Sequence, residues 1–590
     1  MRPRRKRGES ASSALVSGRK KPVSPFGLWC LHPKVRGARG QTQFSVLSSR
    51  FSVLSSQFSV LSSQFSVLSS QKCWIRPGGT GGTFGYAENG KSSVSRYIPN
   101  VLLLLREHRR FFLGTAVAGF ALRLFFIFYF PAVTDDSRIY ADLAANWMQH
   151  GVYGLTPGGQ PEATVQKQIM PTDARLPGYP AFLAVIFFVF GVDNFKAVML
   201  VQSLVDLGAC LMVADIARRV ISARAGQIAF AMAALCPFLA NYSAAVLTET
   251  LEIFFTAVAL DLAVAALDRM FADRANTSLD IVVIDRSSIW LWAATGAAIA
   301  VCILLRPDGG ILLVAVLLYF GFLLGKEMVA KDRGGKNTVN LLVAAVVVVV
   351  FALAPLAPWT IRNFRSLHHF QPLAPRYAND TDELVLRGFN RWVKTWMVDY
   401  ASVEEIYWNV PGEKIDAQKL PARAIENDAE EEATLSLIDD YNESQDITPE
   451  LDGRFGDLAA ERIRSHRFRY YLELPVLRVL DMWLRPRTEI LPPDVRWWEF
   501  NDDPGRSAVA VGFGVLNLAY VGAMLLALIR GYSGIRWAGL LVCFLLVRSA
   551  LLATLENPEP RYSLECYPAI IVLASAAVGR LRLQRSEVEI

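Results

Sequence analysis

The chain has 590 residues, 52% of them hydrophobic and 19% charged, with a mean hydropathy of +0.28 and a formal net charge of +7. Its apolar residues gather in blocks of membrane-spanning length, which excludes an ordinary soluble enzyme and indicates a polytopic integral membrane protein. The lysines and arginines flank those blocks, so the positive charge reports orientation and not nucleic-acid binding. The seven cysteines include no CxxC and the six histidines no metal-ligand spacing, so neither a disulfide framework nor a zinc site is indicated.

Residues 1–96 read as a separate object. Phe44 to Gln71 is a tandem heptapeptide, FSVLSSR followed by three copies of FSVLSSQ, between an Arg/Lys-rich start (RPRRKRGES) and a Gly-rich run (RPGGTGGTFG). Each unit carries three serines and lacks the charge pairs of a coiled coil. No apolar core followed by a small-residue cleavage site is present, so a signal peptide is not expected. This segment is expected to be a disordered or spurious extension.

From residue 97 the apolar blocks follow one another. Phe111 to Phe130 is as long as the ~20 residues a spanning helix needs and follows Arg106, Arg109 and Arg110, which the positive-inside rule places in the cytoplasm. The polar run Thr134-Asp135-Asp136-Ser137-Arg138-Ile139-Tyr140 is then outside. Tyr179 to Gly191 is too short to cross and reads as interfacial or re-entrant. Phe195 to Ile216 must begin outside, because it ends at Arg218, Arg219 and Arg224. The later blocks alternate: 229–241 (a short, broken helix), 251–267, 289–305, 311–324 and 341–356. A long polar, partly acidic segment follows, then 509–529, 537–553 and 567–578, the last ending at Arg580, Arg582 and Arg585. The expected fold is all-α and polytopic, with roughly ten to thirteen spans. Its parts are a transmembrane module at 97–363 containing a first loop at 131–194, a mostly helical extracytoplasmic segment at 364–507, and C-terminal spans at 508–590. Tyr470 to Leu484 is expected to lie on the membrane or cap the site. The 400–450 region stays open between a lid, an acceptor-binding domain and a partly disordered loop.

Polar groups collect at the outer ends of these spans. Asp135, Asp136, Arg138 and Tyr140 come from the first loop, Arg175 precedes Pro177-Gly-Tyr-Pro180, and Glu249 sits in Leu-Thr-Glu-Thr. Arg306 and Asp308 lie in a short hairpin, Arg362 and Asn363 follow Pro358-Trp359, and Arg561-Tyr562 open the last span. Arginine forks bind phosphate and a carboxylate takes a proton from a hydroxyl, so the set suits a reaction between a polar nucleophile and a lipid-anchored phosphate. His368-His369 read as surface residues. The sequons at Asn241, Asn276, Asn379 and Asn442 are assigned no role.

These strings resemble the GT-C glycosyltransferases. Asp-Asp-Ser-Arg-Ile-Tyr-Ala-Asp-Leu-Ala, Gly151-Val-Tyr-Gly and Pro-Gly-Tyr-Pro are followed in order by Leu-Thr-Glu-Thr, Leu-Arg-Pro-Asp, Pro-Trp-Thr-Ile-Arg-Asn and Glu-Pro-Arg-Tyr. The nearest groups are bacterial relatives of the dolichyl-phosphate-mannose protein mannosyltransferases (glycosyltransferase family 39) and lipid A aminoarabinose transferase. The resemblance implies a GT-C bundle in a bacterial inner membrane. It also implies inverting transfer of a sugar from a polyprenyl-phosphate donor to an envelope lipid, glycan or protein acceptor on the extracytoplasmic face. In that family the first-loop acid is catalytic. An Asp four residues before a Tyr selects Asp136 through Tyr140; an acid three before an Arg selects Asp135 through Arg138. Glu249 is the third catalytic candidate, and Arg138, Tyr140, Arg175, Arg306, Arg362, Arg561 and Tyr562 are the substrate-binding ones. The resemblance implies a metal-independent reaction for the nearest members; a Mg²⁺ or Mn²⁺ between Asp135 and Asp136 stays open, without a clear third oxygen ligand. Two other classes fit a polytopic chain. A secondary transporter places ionisable groups at the midplane of interrupted helices, whereas nearly all candidates here lie at outer ends, Arg123 being the main intramembrane exception. A non-catalytic envelope-assembly protein has no need of acids and arginines gathered at one face.

Overall fold

The computed structural model describes residues 105–156, 169–272, 286–329, 336–377, 383–500, 503–531 and 534–588. The expectations for 1–96, and the sequons at Asn276 and Asn379, lie outside the described residues. The described residues form a bundle of helices with one short antiparallel pair of two-residue strands, β1 (Gly154–Leu155) against β2 (Met170–Pro171). Its helices are α1 (Arg109–Tyr129), α2 (Asp135–His150), α3 (Gly178–Phe190), α4 (Phe195–Val220), α5 (Ala223–Ala234), α6 (Pro237–Tyr242), α7 (Glu249–Ala272), α8 (Arg286–Leu305), α9 (Gly310–Val329), α10 (Lys336–Leu353) and α11 (Leu356–Leu367). A polar domain adds α12 (Arg387–Lys394), α13 (Asp428–Ser444), α14 (Pro449–Ser465) and α15 (Leu474–Leu484), before α16 (Pro504–Gly531), α17 (Ala538–Leu552) and α18 (Tyr567–Val588).

Eight of these segments are long and apolar enough to cross a membrane, and α3 and α17 are shorter apolar helices. The protein is thus a multi-pass, all-α membrane protein. The outward leg expected over 229–241 is broken between α5 and α6. Pro237 at the first turn of α6 has no N–H to continue the ladder.

That break explains Arg123, which is fully buried. Its Nη1 donates 2.8 Å bonds to the carbonyls of Ala234, at the interrupted end of α5, and of Gly119. Its Nε donates to Asp206 Oδ2 on α4 at 2.8 Å. A Cβ on Gly119 would stand 2.7 Å from the Ala234 carbonyl, so the close approach of α1 to α5 requires glycine there. Arg123 therefore fastens three helices. It is also far from the sole ionisable group in the apolar helices: Asp206, Asp215, Glu252, Asp261, Arg548 and Glu565 are each buried as well. The expectation that made Arg123 the main exception is corrected here. Single charges inside long apolar runs are diluted in any window average.

The polar domain has a core of its own, built on Phe389, Trp392, Trp396, Tyr441 and Phe455. Asp452 of α14 accepts 2.9 Å bonds from the backbone N–H groups of Gly388 and Phe389, capping the start of α12. Of the three readings kept open for 400–450, a partly disordered loop is ruled out by these packed helices. α15 buries Leu474, Arg478 and Met482 and leaves Val476, Leu477 and Leu480 exposed on its other side, giving it one apolar outward face.

Removing Arg123 strands the Asp206 carboxylate in a dry interior, at a cost of about 3–5 kcal/mol. Arg123→Ala should therefore lower the thermal unfolding midpoint in detergent micelles markedly. A paired Arg123→Leu/Asp206→Leu variant should recover most of the loss.

Candidate active site

The site begins with a helix cap. Thr134 caps α2 through its side chain, which accepts from the Ser137 backbone, while the Ser137 hydroxyl accepts from the Thr134 N–H at 3.0 Å. Both first-loop acids therefore sit in the first turn, where the helix end favours negative charge. Helical rotation then separates them. Asp136 and Tyr140, four apart, face inward and line a cavity of about 1090 Å³, whereas Asp135 and Arg138, three apart, are exposed and do not line it. The two sequence spacings that left the acid undecided are the two faces of one helical turn. A metal held jointly by Asp135 and Asp136 does not fit this geometry, because the carboxylates point to different sides and Asp136 is engaged by guanidiniums.

The cavity lies where the ends of α2, α7, α8, α9 and α17 meet the polar domain. Arg175 Nη2 donates to Asp136 Oδ1 at 3.0 Å, and Arg561 Nη2 stands 3.7 Å from Asp136 Oδ2. Burial pushes the Asp136 carboxyl up, but Arg175 and Arg561 outweigh it and hold the group below the ordinary carboxylate range. Burial drives the Tyr140 phenol up to about 12, so it stays protonated as a hydrogen-bond donor. Its ring packs edge-on against Tyr179 at 5.1 Å.

Glu249, in the first turn of α7, is nearly inaccessible. Its Oε1 lies 3.4 Å from Arg306 Nη1 and 3.8 Å from Arg561 Nη1, and its Oε2 has no hydrogen-bond partner among the described residues. Arg306, in the α8–α9 hairpin, also reaches Asp308 Oδ1 at 3.1 Å and Glu252 Oε2 at 3.4 Å. Arg561 and Tyr562 belong to the short 3₁₀ helix Pro560–Cys566, and both meet Glu559: Arg561 Nε at 2.5 Å and the Tyr562 hydroxyl at 2.7 Å. The Tyr562 ring is flanked by Arg306 and Arg561, whose guanidinium carbons lie 5.0 and 5.4 Å from its centre. The structure thus brings Asp136, Tyr140, Arg175, Glu249, Arg306, Arg561 and Tyr562 to one cavity.

Arg362 is elsewhere. Its guanidinium is spent on the backbone carbonyls of Thr172 (2.8 Å) and Tyr153, and stacks near Tyr153 and Trp359. Because it pins the loop that carries Arg175, its contribution is to hold that loop, and the expected direct contact with substrate is not supported by its position. His369, expected as a surface residue, is 2.7 Å from buried Asp173 in the same loop.

Sequence reasoning missed Glu252, Arg548 and Glu565, and gave no role to Glu559, which opens the Glu-Pro-Arg-Tyr string. Arg548 is buried in α17 and bridges Asp308 Oδ2 (2.8 Å) and Glu565 Oε2 (2.7 Å). Helical spacing held a signal for two of them: Glu252 lies three residues past Glu249, and Glu565 three past Tyr562.

With Arg175 removed, burial of Asp136 is opposed only by Arg561 and Arg306. Arg175→Gln should raise its titration midpoint, read by infrared absorption of the carboxylate. The sign follows from the depressed value. The ionised form contributes stability above the unfolded carboxylate range, and that contribution is lost as pH falls through the folded value, so the variant should lose it at a higher pH than the wild type.

Residues 174–361 match the family model of dolichyl-phosphate-mannose-protein mannosyltransferase, one of the GT-C families named above. The matched range holds Arg175, Glu249 and Arg306 but begins after α2. The match therefore does not cover Asp136, which the geometry brings to the cavity. No curated protein matches the chain. Among solved structures, the oligosaccharyltransferase AglB from Archaeoglobus fulgidus, in complex with an inhibitory peptide and a dolichol-phosphate, is similar at 14% identity and a TM-score of 0.44, over 82% of this chain and 52% of its own. ArnT from Cupriavidus metallidurans bound to undecaprenyl phosphate is similar at 15% identity and a TM-score of 0.31, over 80% of this chain and 77% of its own. The chain spans about half the length of the oligosaccharyltransferase.

Proposed function

We propose that the protein is a membrane glycosyltransferase that moves a sugar from a polyprenyl-phosphate donor to a hydroxyl-bearing envelope acceptor, with inversion at the anomeric carbon. The observation that carries this reading is the Asp136 carboxylate set between Arg175 and Arg561 in a cavity whose walls also include Leu247, Leu305, Ile311 and Leu552. Charged and apolar surfaces side by side suit a phosphate that arrives on a lipid tail.

In the proposed reaction the acceptor oxygen attacks the anomeric carbon from the side opposite the phosphate. A new C–O bond forms as the bond from that carbon to the phosphate oxygen breaks, and polyprenyl phosphate leaves with the electron pair. The acceptor proton passes to Asp136. A carboxylate held low is a weak base, so proton transfer accompanies bond formation, when the attacking hydroxyl has become acidic. Arg175, Arg306 and Arg561 stabilise the charge gathering on the phosphate, which needs no strong acid to depart. Tyr140 and Glu249 are proposed to orient the donor and acceptor. The positive-inside reading puts this end of the bundle on the extracytoplasmic side, in the proposed setting of a bacterial inner membrane. A second reading, secondary transport, is favoured by the carboxylates of Glu252 and Asp261 inside spanning helices.

A panel of radiolabelled polyprenyl-phosphate sugars presented to the purified protein in lipid tests the reading. Wild type should release or transfer the sugar of one donor. Asp136→Asn should bind that donor within a few-fold of wild type and turn over about 10²–10⁴ times more slowly. Asp135→Asn should keep most of the rate. Absence of donor binding and of turnover across the panel, or an undiminished rate in Asp136→Asn, overturns it.

A further inference from the structure

The charged network around the cavity does not balance. Asp136, Glu249, Glu252, Asp308, Glu559 and Glu565 are joined by ion pairs to Arg175, Arg306, Arg548 and Arg561, so six carboxylates meet four guanidiniums. With every one of these groups ionised, the carboxylates outnumber the guanidiniums by two. The excess concentrates beneath the cavity floor at Glu252, Asp308 and Glu565, one oxygen of each lying within 4.8 Å of the other two. Arg548 occupies one side of this group through Asp308 Oδ2 and Glu565 Oε2.

On the other side Glu252 and Glu565 face each other. Glu252 is fully buried and neither of its oxygens has a hydrogen-bond partner among the described residues; Arg306 Nε approaches Oε2 only to 3.4 Å. Glu565 Oε1 is likewise buried without a hydrogen bond. A carboxylate in a dry interior needs a donor or a cation, and an uncompensated pair of charges there is costly. One divalent ion cancels the excess. Three carboxylates are hard oxygen donors, which suit Mg²⁺, Mn²⁺ or Ca²⁺ and not a thiophilic metal.

We infer that Glu252, Asp308 and Glu565 form a binding site for one divalent cation of the Mg²⁺/Mn²⁺ class. This site is separate from the Asp135–Asp136 pair suggested by the sequence. Because the imbalance belongs to the protein's own side chains, the inference stands whether or not the glycosyl-transfer reading holds. Asp308 lines the cavity, so a cation there also offsets the negative field that an incoming anion meets.

The test is Mn²⁺ binding to the purified full-length chain in nanodiscs, followed by loss of the free-ion electron paramagnetic resonance signal. Wild type should bind one Mn²⁺ per chain, displaceable by Mg²⁺. Losing one carboxylate ligand should weaken binding by about tenfold or more in both Glu252→Gln and Glu565→Gln. Gel filtration verifies the fold of each variant, and either one alone decides if the other fails to assemble. Asp135→Asn removes an exposed carboxylate outside the network and should bind as wild type does. The inference is overturned if wild type binds no Mn²⁺ at millimolar concentration, which would mean that protons neutralise the group. It is equally overturned if the Gln variants bind unchanged, or if Asp135→Asn loses binding as they do.

Discussion

The Arg306 guanidinium, with only 17% of its side chain exposed, reaches Glu249 and Glu252 on α7 and Asp308 in its own hairpin, and lies over the ring of Tyr562. Through these contacts the ends of α7, α8 and α9 and the approach to α18 are tied to one another. Arg548 repeats the arrangement one layer deeper, holding Asp308 and Glu565 together from α17. Such buried pairs add little net stability over apolar packing, yet breaking one is expensive. Their effect is to admit one arrangement of helix ends and to penalise others.

That arrangement makes the cavity a place where charge is already set. Arg175 and Arg561 face Asp136 from different elements, so no single loop movement can withdraw both. Arg362 adds a second level of support. By taking the carbonyls of Tyr153 and Thr172 it holds the segment on which Arg175 stands, and Tyr153 in turn donates its hydroxyl to the carbonyls of Arg175 and Leu176. Chemistry that depends on pre-placed dipoles and cations needs this kind of rigidity, because the cost of orienting them is met during folding.

Much of this was readable from residue order. Asp136, Arg175, Glu249, Arg306 and Arg561 each stand where an apolar block meets polar sequence, and such positions mark span ends. Arg362 stands at a similar boundary and was read the same way, although its guanidinium turns to backbone carbonyls; hydropathy places a residue along the membrane normal and says nothing of its direction around the helix. Asp135 and Arg138 were drawn in for the same reason. Glu252 and Arg548 were passed over because one charge among many apolar neighbours leaves the block apolar, and Glu565 because it lies just before the last block.

The amino-acid sequence by itself determined the membrane class, the order and approximate limits of the apolar helices, and the family resemblance. These are local properties: hydrophobic length, flanking charge and short strings of residues. Tertiary structure alone decided which of two adjacent acids enters the cavity, and which arginines meet it. It alone also set three distant carboxylates within 4.8 Å of one another. Those outcomes depend on helix phase and on contacts between residues more than 300 positions apart, as between Glu252 and Glu565, and no local pattern encodes such distances.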